Sequence, residues 1–221
     1  MTSKRVSKDT ARHPSVRIRR KRERNRQEIL EAARALLHEG GGDSVTLASV
    51  AGELGLTKQA LYYYFPSKEA LVRTLTVVLL NDEIDALIAA VDAQRSNAHV
   101  LGAMIRAFYN HYVERLHEFR TVYCQSQLYS NPTEVLDEAV IREEINPRTR
   151  RLFDVLEARL SNGSGSASRR ARYRRLGYSA WLAALGLMTM LGLAEAADDP
   201  LIYADKDLLN ALAKTFDAAV G

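Results

Sequence analysis

The chain has 221 residues, of which 47% are hydrophobic and 26% are charged, so it is long enough to bury a core without disulfides or a structural metal. Its single cysteine, Cys124, excludes an intrachain disulfide and a zinc site built from cysteines. Such sparse cysteine usage fits the reducing cytoplasm, and a cytoplasmic location is therefore expected.

Positive charge is concentrated at the N-terminus. Residues 1–26 hold eleven Lys or Arg against two acidic residues, a net charge of +9, whereas the whole chain carries +4. The remaining residues therefore carry −5. A basic segment on a mildly acidic body predicts contact with nucleic acid at one end only.

Residues 1–21 are interpreted as a basic flexible arm, which lacks the apolar stretch of a secretory signal. For residues 1–15 a solvated tail without a DNA role is an equally good interpretation. For Arg17 to Arg26 contact with DNA is favoured, through an arm that enters the minor groove. The candidate contacts are Arg19, Arg20 and Arg22.

An apolar stripe at helical spacing predicts a first helix from Arg24 to Glu39, which Gly40, Gly41 and Gly42 end. From Thr46 to Leu71 the pattern predicts a second helix, a sharp turn, a third helix and the start of a fourth. These helices form a three-helix helix-turn-helix head, followed by a larger helical body.

Residues with known local preferences mark the turn of this motif. Thr46 is expected to cap the second helix and Thr57 the third, because their hydroxyls accept hydrogen bonds from free backbone N–H groups. Gly55 is expected to adopt the left-handed conformation that ends a helix, and Leu56 to make the buried contact of the turn.

The third helix has an inward and an outward face. Leu61 and Phe65 are expected to point inward, which leaves a lysine, a glutamine and two tyrosines outside. Amine and amide groups pair with base edges in the major groove, and phenolic hydroxyls reach phosphates. Ala60 is small enough to let the helix approach DNA closely. At the next helix Ser67 is a cap, and Lys68 adds positive charge that grips the phosphate backbone.

These residues resemble the DNA-binding segment of the TetR family of bacterial transcriptional regulators. The matching positions are Thr46, Val50, Ala51, Leu54, Gly55, Leu56, Thr57, Leu61, Tyr62, Tyr64, Phe65, Lys68 and Leu71. With the first helix, the resemblance covers residues 22–75. It implies an all-α dimeric regulator whose head reads an operator and whose C-terminal domain dimerises and senses a small molecule.

The resemblance also implies site residues. Positions that face bases correspond to Lys58, Gln59, Ala60 and Tyr62, and positions that face phosphates to Thr46, Tyr63, Tyr64 and Lys68. Thr57 is a further candidate DNA contact. The implied domains are the arm at 1–21, the DNA-binding domain at 22–67, and the effector-binding and dimerisation domain at 68–221.

The body is predicted to be helical. A long helix from Lys68 to about Gln94 is shared with the head, so a ligand that shifts its body end must move the DNA-reading helices. Residues 161–168 are a flexible connection rich in Ser and Gly. The nearly apolar stretch from Leu176 to Ala194 is long enough to span a membrane, but a buried helix is favoured and no membrane partner is expected.

In the family's pattern the last two helices form a four-helix bundle with their partners. Leu176–Ala194 and Leu208–Val220 are accordingly assigned to a homodimer interface, with core packing inside one subunit as the alternative.

No catalytic motif, metal-binding motif or phosphate-binding loop occurs, so an enzyme, a cofactor and a metal site are not expected. A cavity for an apolar or aromatic effector is expected between the body helices. The candidate effector-binding residues are Tyr109, Tyr112, Tyr123, Gln127, Trp181 and Met188, for each of which ordinary packing is the alternative.

The sequence therefore predicts a sequence-specific, homodimeric transcriptional repressor that a small-molecule effector releases from an inverted-repeat DNA operator. Three alternatives stay open: an architectural DNA-binding protein without operator specificity, a helical enzyme, and a membrane-anchored regulator.

Overall fold

The computed structural model describes residues 16–124, 138–163, 165–194 and 204–220, apart from the side chains of 192–194. Helices and the turns between them make up these residues, and no strand occurs within them. The predicted all-α fold class is confirmed. We call the unit built around the first three helices the head and the remainder the body.

Ten α-helices lie within the described residues. In the head they are α1 (Val16–Ser44), α2 (Leu47–Glu53), α3 (Lys58–Tyr64) and α4 (Lys68–Asp92), the last of which runs into the body. In the body they are α5 (Val100–Tyr112), α6 (Leu116–Phe119), α7 (Glu138–Val140), α8 (Asn146–Leu160), α9 (Ala167–Ala194) and α10 (Asp205–Ala218). Wider π-helical turns extend α6 through Arg120–Cys124 and join α7 to α8 through Ile141–Ile145.

Side-chain caps begin the helices of the head. The Thr46 hydroxyl accepts a hydrogen bond from the Ser49 backbone N–H at 3.0 Å, and the Ser49 hydroxyl accepts one from the Thr46 N–H in return. Thr57 and Ser67 cap α3 and α4 in the same way. All three predicted caps are therefore present, because each depends only on residues within one turn of the helix.

The first helix extends further toward the N-terminus than the sequence predicts. It begins at Val16 rather than at Arg24, so the part of the predicted flexible arm from Val16 to residue 21 is helical. Arg, Lys, Glu and Gln are good helix formers, and an Arg24–Glu28 pair one turn apart supports this stretch. Residues 1–15 lie outside the described residues. At the other end, Gly41 interrupts the helix with a φ of 72°.

The turn between α2 and α3 forms as predicted at one residue and differs at the next. Gly55 has a φ of 62°, which glycine adopts without strain. Leu56, however, is 43% exposed, so the expected buried contact is wrong. Its backbone N–H instead donates to the Ala51 carbonyl at 2.8 Å. Backbone bonding closes this turn, which leaves the Leu56 side chain free in solvent.

The apolar residues of α4 divide between two cores. Residues up to Leu79 pack with the head, against side chains such as Ile29, Leu61 and Phe65. Residues from Leu80 onward pack with the body, whose centre is α5 enclosed by α4, α8, α9 and α10. The boundary predicted between residues 67 and 68 marks the start of α4, whereas the packing changes inside the helix. The same rigid helix is therefore part of both units.

An ion-pair network joins the head to the body. The Arg34 guanidinium on α1 donates to both carboxylate oxygens of Glu118 on α6, at 2.8 and 3.0 Å, and to Asp82 on α4 at 2.5 Å. Glu118 is 2% exposed, and Arg115 lies 3.9 Å from it. The two carboxylates raise the pKa of Arg34, so the guanidinium is permanently charged.

Close packing surrounds this network. A side chain at Gly41 would bring a Cβ atom to 3.0 Å from the His117 ring, so the ring of α6 lies directly on the backbone of α1. The part of the body that carries α6 thus packs closely against the end of α1.

The helix α9 is not buried on nearly all sides within one chain, contrary to the expectation. Its face with Ala180, Ala184 and Met188 packs into the body, whereas Tyr178 and Leu182 lie on the exposed side. No helix in the described parts of the chain combines the length and the apolar character of a membrane span.

Removing the guanidinium of Arg34 tests the head-to-body contact. We expect Arg34→Met to lower the free energy of unfolding by about 3 kcal/mol, because it leaves the buried Glu118 carboxylate without its main counter-charge. Urea unfolding measures the change. Arg151→Ala, which breaks the exposed pair with Asp85, is the control and should cost under about 1 kcal/mol.

The double variant Arg34→Met with Glu118→Gln removes the buried charge as well and should recover most of the lost stability. An Arg34→Met cost no greater than that of Arg151→Ala would contradict a stabilising role for this network.

Candidate nucleic-acid interface and effector site

The outward face of α3 is open to solvent. Lys58 and Gln59 are exposed, and Tyr62 and Tyr63 are 46% and 66% exposed, although large aromatic residues usually find partners. Ala60 is partly buried between these residues and the core. The residues predicted to face DNA bases therefore share one accessible surface.

Cationic side chains lie over the tyrosine rings of this surface. Lys58 Nζ is 5.8 Å from the ring centre of Tyr62, and Arg22 Cζ is 5.2 Å from that of Tyr63. Both distances are within the range of cation–π attraction. Arg22 is the first residue after the arm predicted at 1–21. As part of α1, it lies beside α3.

The sequence predicts a phosphate contact for Tyr64, and the structure shows a second use of this residue. Its hydroxyl accepts a hydrogen bond from Asn25 Nδ2 at 2.9 Å, which leaves its own O–H free to donate to an acceptor. Nearby, Arg26 lies over the Phe65 ring at 4.5 Å and donates to Thr74 Oγ1. These contacts fix the angle between α1 and α3.

The first turns of α1 carry exposed positive charge. Arg17, Arg20, Lys21 and Arg24 line one shallow depression with Val16, because they recur at helical spacing. Arg19 is exposed on a neighbouring face. This helix therefore presents a basic surface at the edge of the head, where the sequence predicts a flexible arm.

Three further predicted DNA contacts lie at helix starts. The oxygens of Thr46 and Thr57 accept capping hydrogen bonds from the backbone. Lys68 is the first residue of α4 and is partly exposed. It lies beside the free backbone N–H groups of the helix N-terminus, which is the positive end of the helix dipole. All three therefore lie at the N-terminal ends of the head helices.

In the body, a buried carboxylate that the sequence reasoning missed organises the predicted effector residues. Glu83 on α4 is 1% exposed. The hydroxyls of Tyr112 and Tyr123 each donate to Glu83 Oε2 at 2.6 Å, and the Trp181 side chain also forms a hydrogen bond with this carboxylate. Three of the six predicted effector residues are thus brought together by an acid.

The other three predicted effector residues do not join this cluster. The Tyr109 hydroxyl faces Asp205 on α10 at 3.4 Å. Met188 is buried in the body core, with no polar role. Gln127 lies outside the described residues. The six positions consequently stay a prediction as a set.

Burial of Glu83 raises its pKa to about 7, although the hydrogen bonds from Tyr112, Tyr123 and Trp181 act in the opposite direction. Burial and the facing carboxylate likewise raise the pKa of both tyrosines. In the described parts of the chain no Lys, Arg or His pairs with Glu83. The carboxylate is therefore surrounded only by neutral donors.

A sequence signal for Glu83 exists. Leu79, Glu83 and Leu87 are four residues apart on α4, so the acid interrupts an otherwise apolar stripe. Acidic residues are rarely fully buried unless they are paired, so this position is unusual in the pattern. The partners of Glu83 cannot be deduced in the same way, since they come from distant parts of the chain.

His111 is a second buried titratable group. Burial, with the nearby Arg115 charge, lowers its pKa to about 4, and its Nε2 has no hydrogen-bond partner in the described structure. Its ring packs edge-on against Tyr112 at 4.6 Å. His111 is therefore neutral at physiological pH. Within the described residues no group of three His, Cys, Asp or Glu side chains is placed to hold a metal ion.

A short helix-turn-helix with an exposed second helix, bordered by basic residues and carried on a helical body, is the arrangement of a DNA-binding regulator. Residues 29–75 match the family model described as bacterial regulatory proteins, tetR family. The head is therefore similar to this family of transcription regulators, and the resemblance seen in the sequence is confirmed over these residues.

Curated relatives match over a short segment. The chain is 46% identical over 43 residues to the nucleoid occlusion factor SlmA of Idiomarina loihiensis, which is 20% of this chain and 22% of that protein. It is 38% identical over 56 residues to the class D tetracycline repressor of Escherichia coli, which is 25% of this chain and 26% of that protein. The chain thus spans about a quarter of the length of these relatives.

Similarity to solved structures extends over the whole fold. The transcriptional regulator FadR from Bacillus subtilis, in complex with stearoyl-CoA, superposes with a TM-score of 0.62 and 15% identity. The match covers 88% of this chain and 99% of that chain. At this identity the match shows that the body shares the fold.

The raised pKa of Glu83 predicts how stability depends on pH. Between the ordinary pKa of glutamate, near 4.5, and the folded value of about 7, only the unfolded chain loses the proton. The contribution of Glu83 to folding should therefore weaken as pH rises through this window and then stay constant. Between the two pKa values, the free energy of unfolding of the native protein should fall by about 3 kcal/mol relative to that of Glu83→Gln.

Urea unfolding of both proteins at a series of pH values measures this difference. Because His111 and the other titrating groups are present in both proteins, their contributions cancel. A difference that does not change between pH 4 and pH 8 would show that Glu83 ionises as an ordinary glutamate.

Proposed function

We propose that the protein is a homodimeric transcriptional repressor that binds an inverted-repeat DNA operator and is released by a small-molecule effector. The exposed outer face of α3 carries this proposal, because it presents Lys58, Gln59 and two tyrosines without partners that would hide them. The proposed site of action is the cytoplasm.

Base and phosphate contacts have separate roles in this proposal. Lys58, Gln59, Ala60 and Tyr62 enter the major groove and read bases, whereas Tyr63, Tyr64 and Lys68 bind the flanking phosphates. The basic helix start with Arg19, Arg20 and Arg22 follows the backbone beside the groove. Its fixed attachment to α3 through Arg22 and Asn25 supports a constant spacing between the two contacts.

A second copy of the chain completes the regulator. The proposed interface is built from α9 and α10, where Tyr178, Leu182 and Met190 expose apolar surface on one helix. Pairing these helices with those of a partner forms a four-helix bundle and covers this surface. Two heads then face two half-sites, and their separation decides whether both bind.

The body supplies the proposed effector site. A hydrogen-bonded cluster between α4, α5 and α9 links Glu83, Tyr112, Tyr123 and Trp181. Because α4 also belongs to the core of the head, a ligand that displaces this part of α4 changes the position of α3. The complex of the similarly folded FadR with stearoyl-CoA supports a ligand site in such a body.

A selection experiment tests the regulator directly. The protein is incubated with a library of random DNA duplexes at about 150 mM salt, and the retained duplexes are sequenced. We expect one inverted repeat with half-sites about one helical turn apart. Retention without any shared motif would contradict operator recognition and favour the architectural alternative.

Substitutions on α3 and α4 should separate the two kinds of DNA contact. We expect Gln59→Ala to lose about 1 to 3 kcal/mol of discrimination at one base pair in each half-site, with little effect on random DNA. Lys68→Ala should weaken all sequences alike and reduce by about one the slope of log affinity against log salt concentration. Fluorescence anisotropy with the selected operator and with point-substituted duplexes measures both.

Arg150→Ala, on the exposed side of α8 in the body, removes the same charge away from the head and from the proposed interface and should change neither quantity. A sequence-dependent loss in Lys68→Ala, or a uniform loss in Gln59→Ala, would contradict the assigned roles.

A further inference from the structure

The two carboxylates buried most deeply in the body have opposite electrostatic environments. Glu118 is paired with the Arg34 guanidinium and has Arg115 nearby. Glu83, at a similar depth, is surrounded by hydroxyl and indole donors and by aromatic rings, with no cationic side chain in the described structure to pair with it. A buried charge normally has a counter-charge, and the described residues supply none to Glu83.

Aromatic rings pack against one another beside Glu83. Tyr112, Phe119 and Tyr123 lie with their ring centres 5.4 to 6.1 Å apart, and the Trp181 ring is 6.0 Å from Tyr123. Aromatic faces attract cations, and the attraction grows when water is excluded. The aromatic rings and the Glu83 carboxylate would thus both attract a cationic ligand.

The rings also connect Glu83 to the surface. Trp181 contacts Tyr178 at 5.6 Å between ring centres, and Tyr178 is 48% exposed. Phe153 touches both of these rings, at 5.4 and 6.3 Å. A continuous series of aromatic contacts therefore runs from Tyr178, on the face of α9 proposed to meet the second copy, to the acid.

We propose that the effector is an organic cation with an aromatic or apolar body, whose positive group binds Glu83 within the ring cluster of Tyr112, Phe119, Tyr123 and Trp181. This inference rests on the proposed function, which supplies the effector but not its chemistry. It refines the expectation of an apolar or aromatic effector by adding a positive charge.

The described contacts favour a positive ligand charge over a negative one at this site. An anion would face the Glu83 carboxylate at short range in an environment of low polarity, where repulsion is strong. A neutral ligand would leave the carboxylate as it is, so its affinity would not depend on the charge of Glu83. The dependence of affinity on both the ligand charge and the Glu83 charge is therefore the signature of the proposal.

The chain provides its own reporter, because Trp181 is its only tryptophan and lies in the cluster. Tetraphenylphosphonium and tetraphenylborate have nearly the same shape and opposite charge, so they are a matched pair of probes. Each is titrated into the full-length protein without DNA while Trp181 fluorescence is recorded, and calorimetry confirms the affinity. Benzyltrimethylammonium is a smaller cationic probe.

We expect a saturable change with the phosphonium and an affinity at least tenfold lower for the borate. Glu83→Gln should weaken phosphonium binding at least tenfold, whereas Glu83→Asp, which keeps the charge, should retain most of it. Asp85→Asn removes an exposed carboxylate two residues away on the same helix and should change the affinity less than twofold. Circular dichroism establishes that each variant is folded.

Several results would overturn the proposal: no saturable response to either cation, equal affinity for the borate, or equal phosphonium affinity in Glu83→Gln. Failure of the proposed function looks different. If the phosphonium binds in a manner that depends on Glu83 but leaves operator affinity unchanged, the ligand class holds and the release mechanism fails. If a neutral molecule releases the operator while neither cation binds, the release mechanism holds and the ligand class fails.

Discussion

The guanidinium of Arg34 forms the buried ion-pair contact between the two units of this protein, which the shared helix α4 also joins. It lies on a helix of the head, yet it neutralises a carboxylate buried in the body and a second one on the shared helix α4. Without it, Glu118 would be a buried charge with only Arg115, 3.9 Å away, as a counter-charge, and the contact between α1 and α6 would lose its main polar component. The positions of α2 and α3 relative to the body depend on this contact and on α4.

The body has a second buried acid, and its environment differs from the first. Glu118 has its counter-charge inside the chain, so it stabilises a fixed arrangement of head and body. Glu83 has only neutral hydrogen-bond donors, and burial raises its pKa to about 7. Glu118 shares the Arg34 guanidinium with Asp82, which directly precedes Glu83 on α4. A ligand charge at Glu83 is therefore placed close to the contact that positions the head.

The predictability of these features follows from the range of the interactions. Thr46, Gly55, Thr57 and Ser67 were assigned correctly from sequence because caps and turns depend on neighbouring residues. Leu56 was assigned wrongly because its burial depends on what packs above the turn, which no local pattern shows.

The helix start at Val16 was missed because a run of basic residues has the same composition in a flexible arm and in a helix surface. The cluster around Glu83 could not be predicted either, since its tyrosines lie 29 and 40 residues away along the chain. Only the packing of α4 against α5 and the turn that follows α6 brings them together.

The central claim is that ligand binding at Glu83 changes operator binding through the head-to-body contact. Operator affinity is therefore best measured with and without saturating tetraphenylphosphonium, in the native protein and in Arg34→Met. Coupling between two binding sites is a single free energy. The operator should therefore weaken phosphonium binding by the same factor by which the phosphonium weakens operator binding. We predict a loss of operator affinity of at least tenfold in the native protein and a clearly smaller loss in Arg34→Met. An equal loss in both proteins would contradict transmission through Arg34.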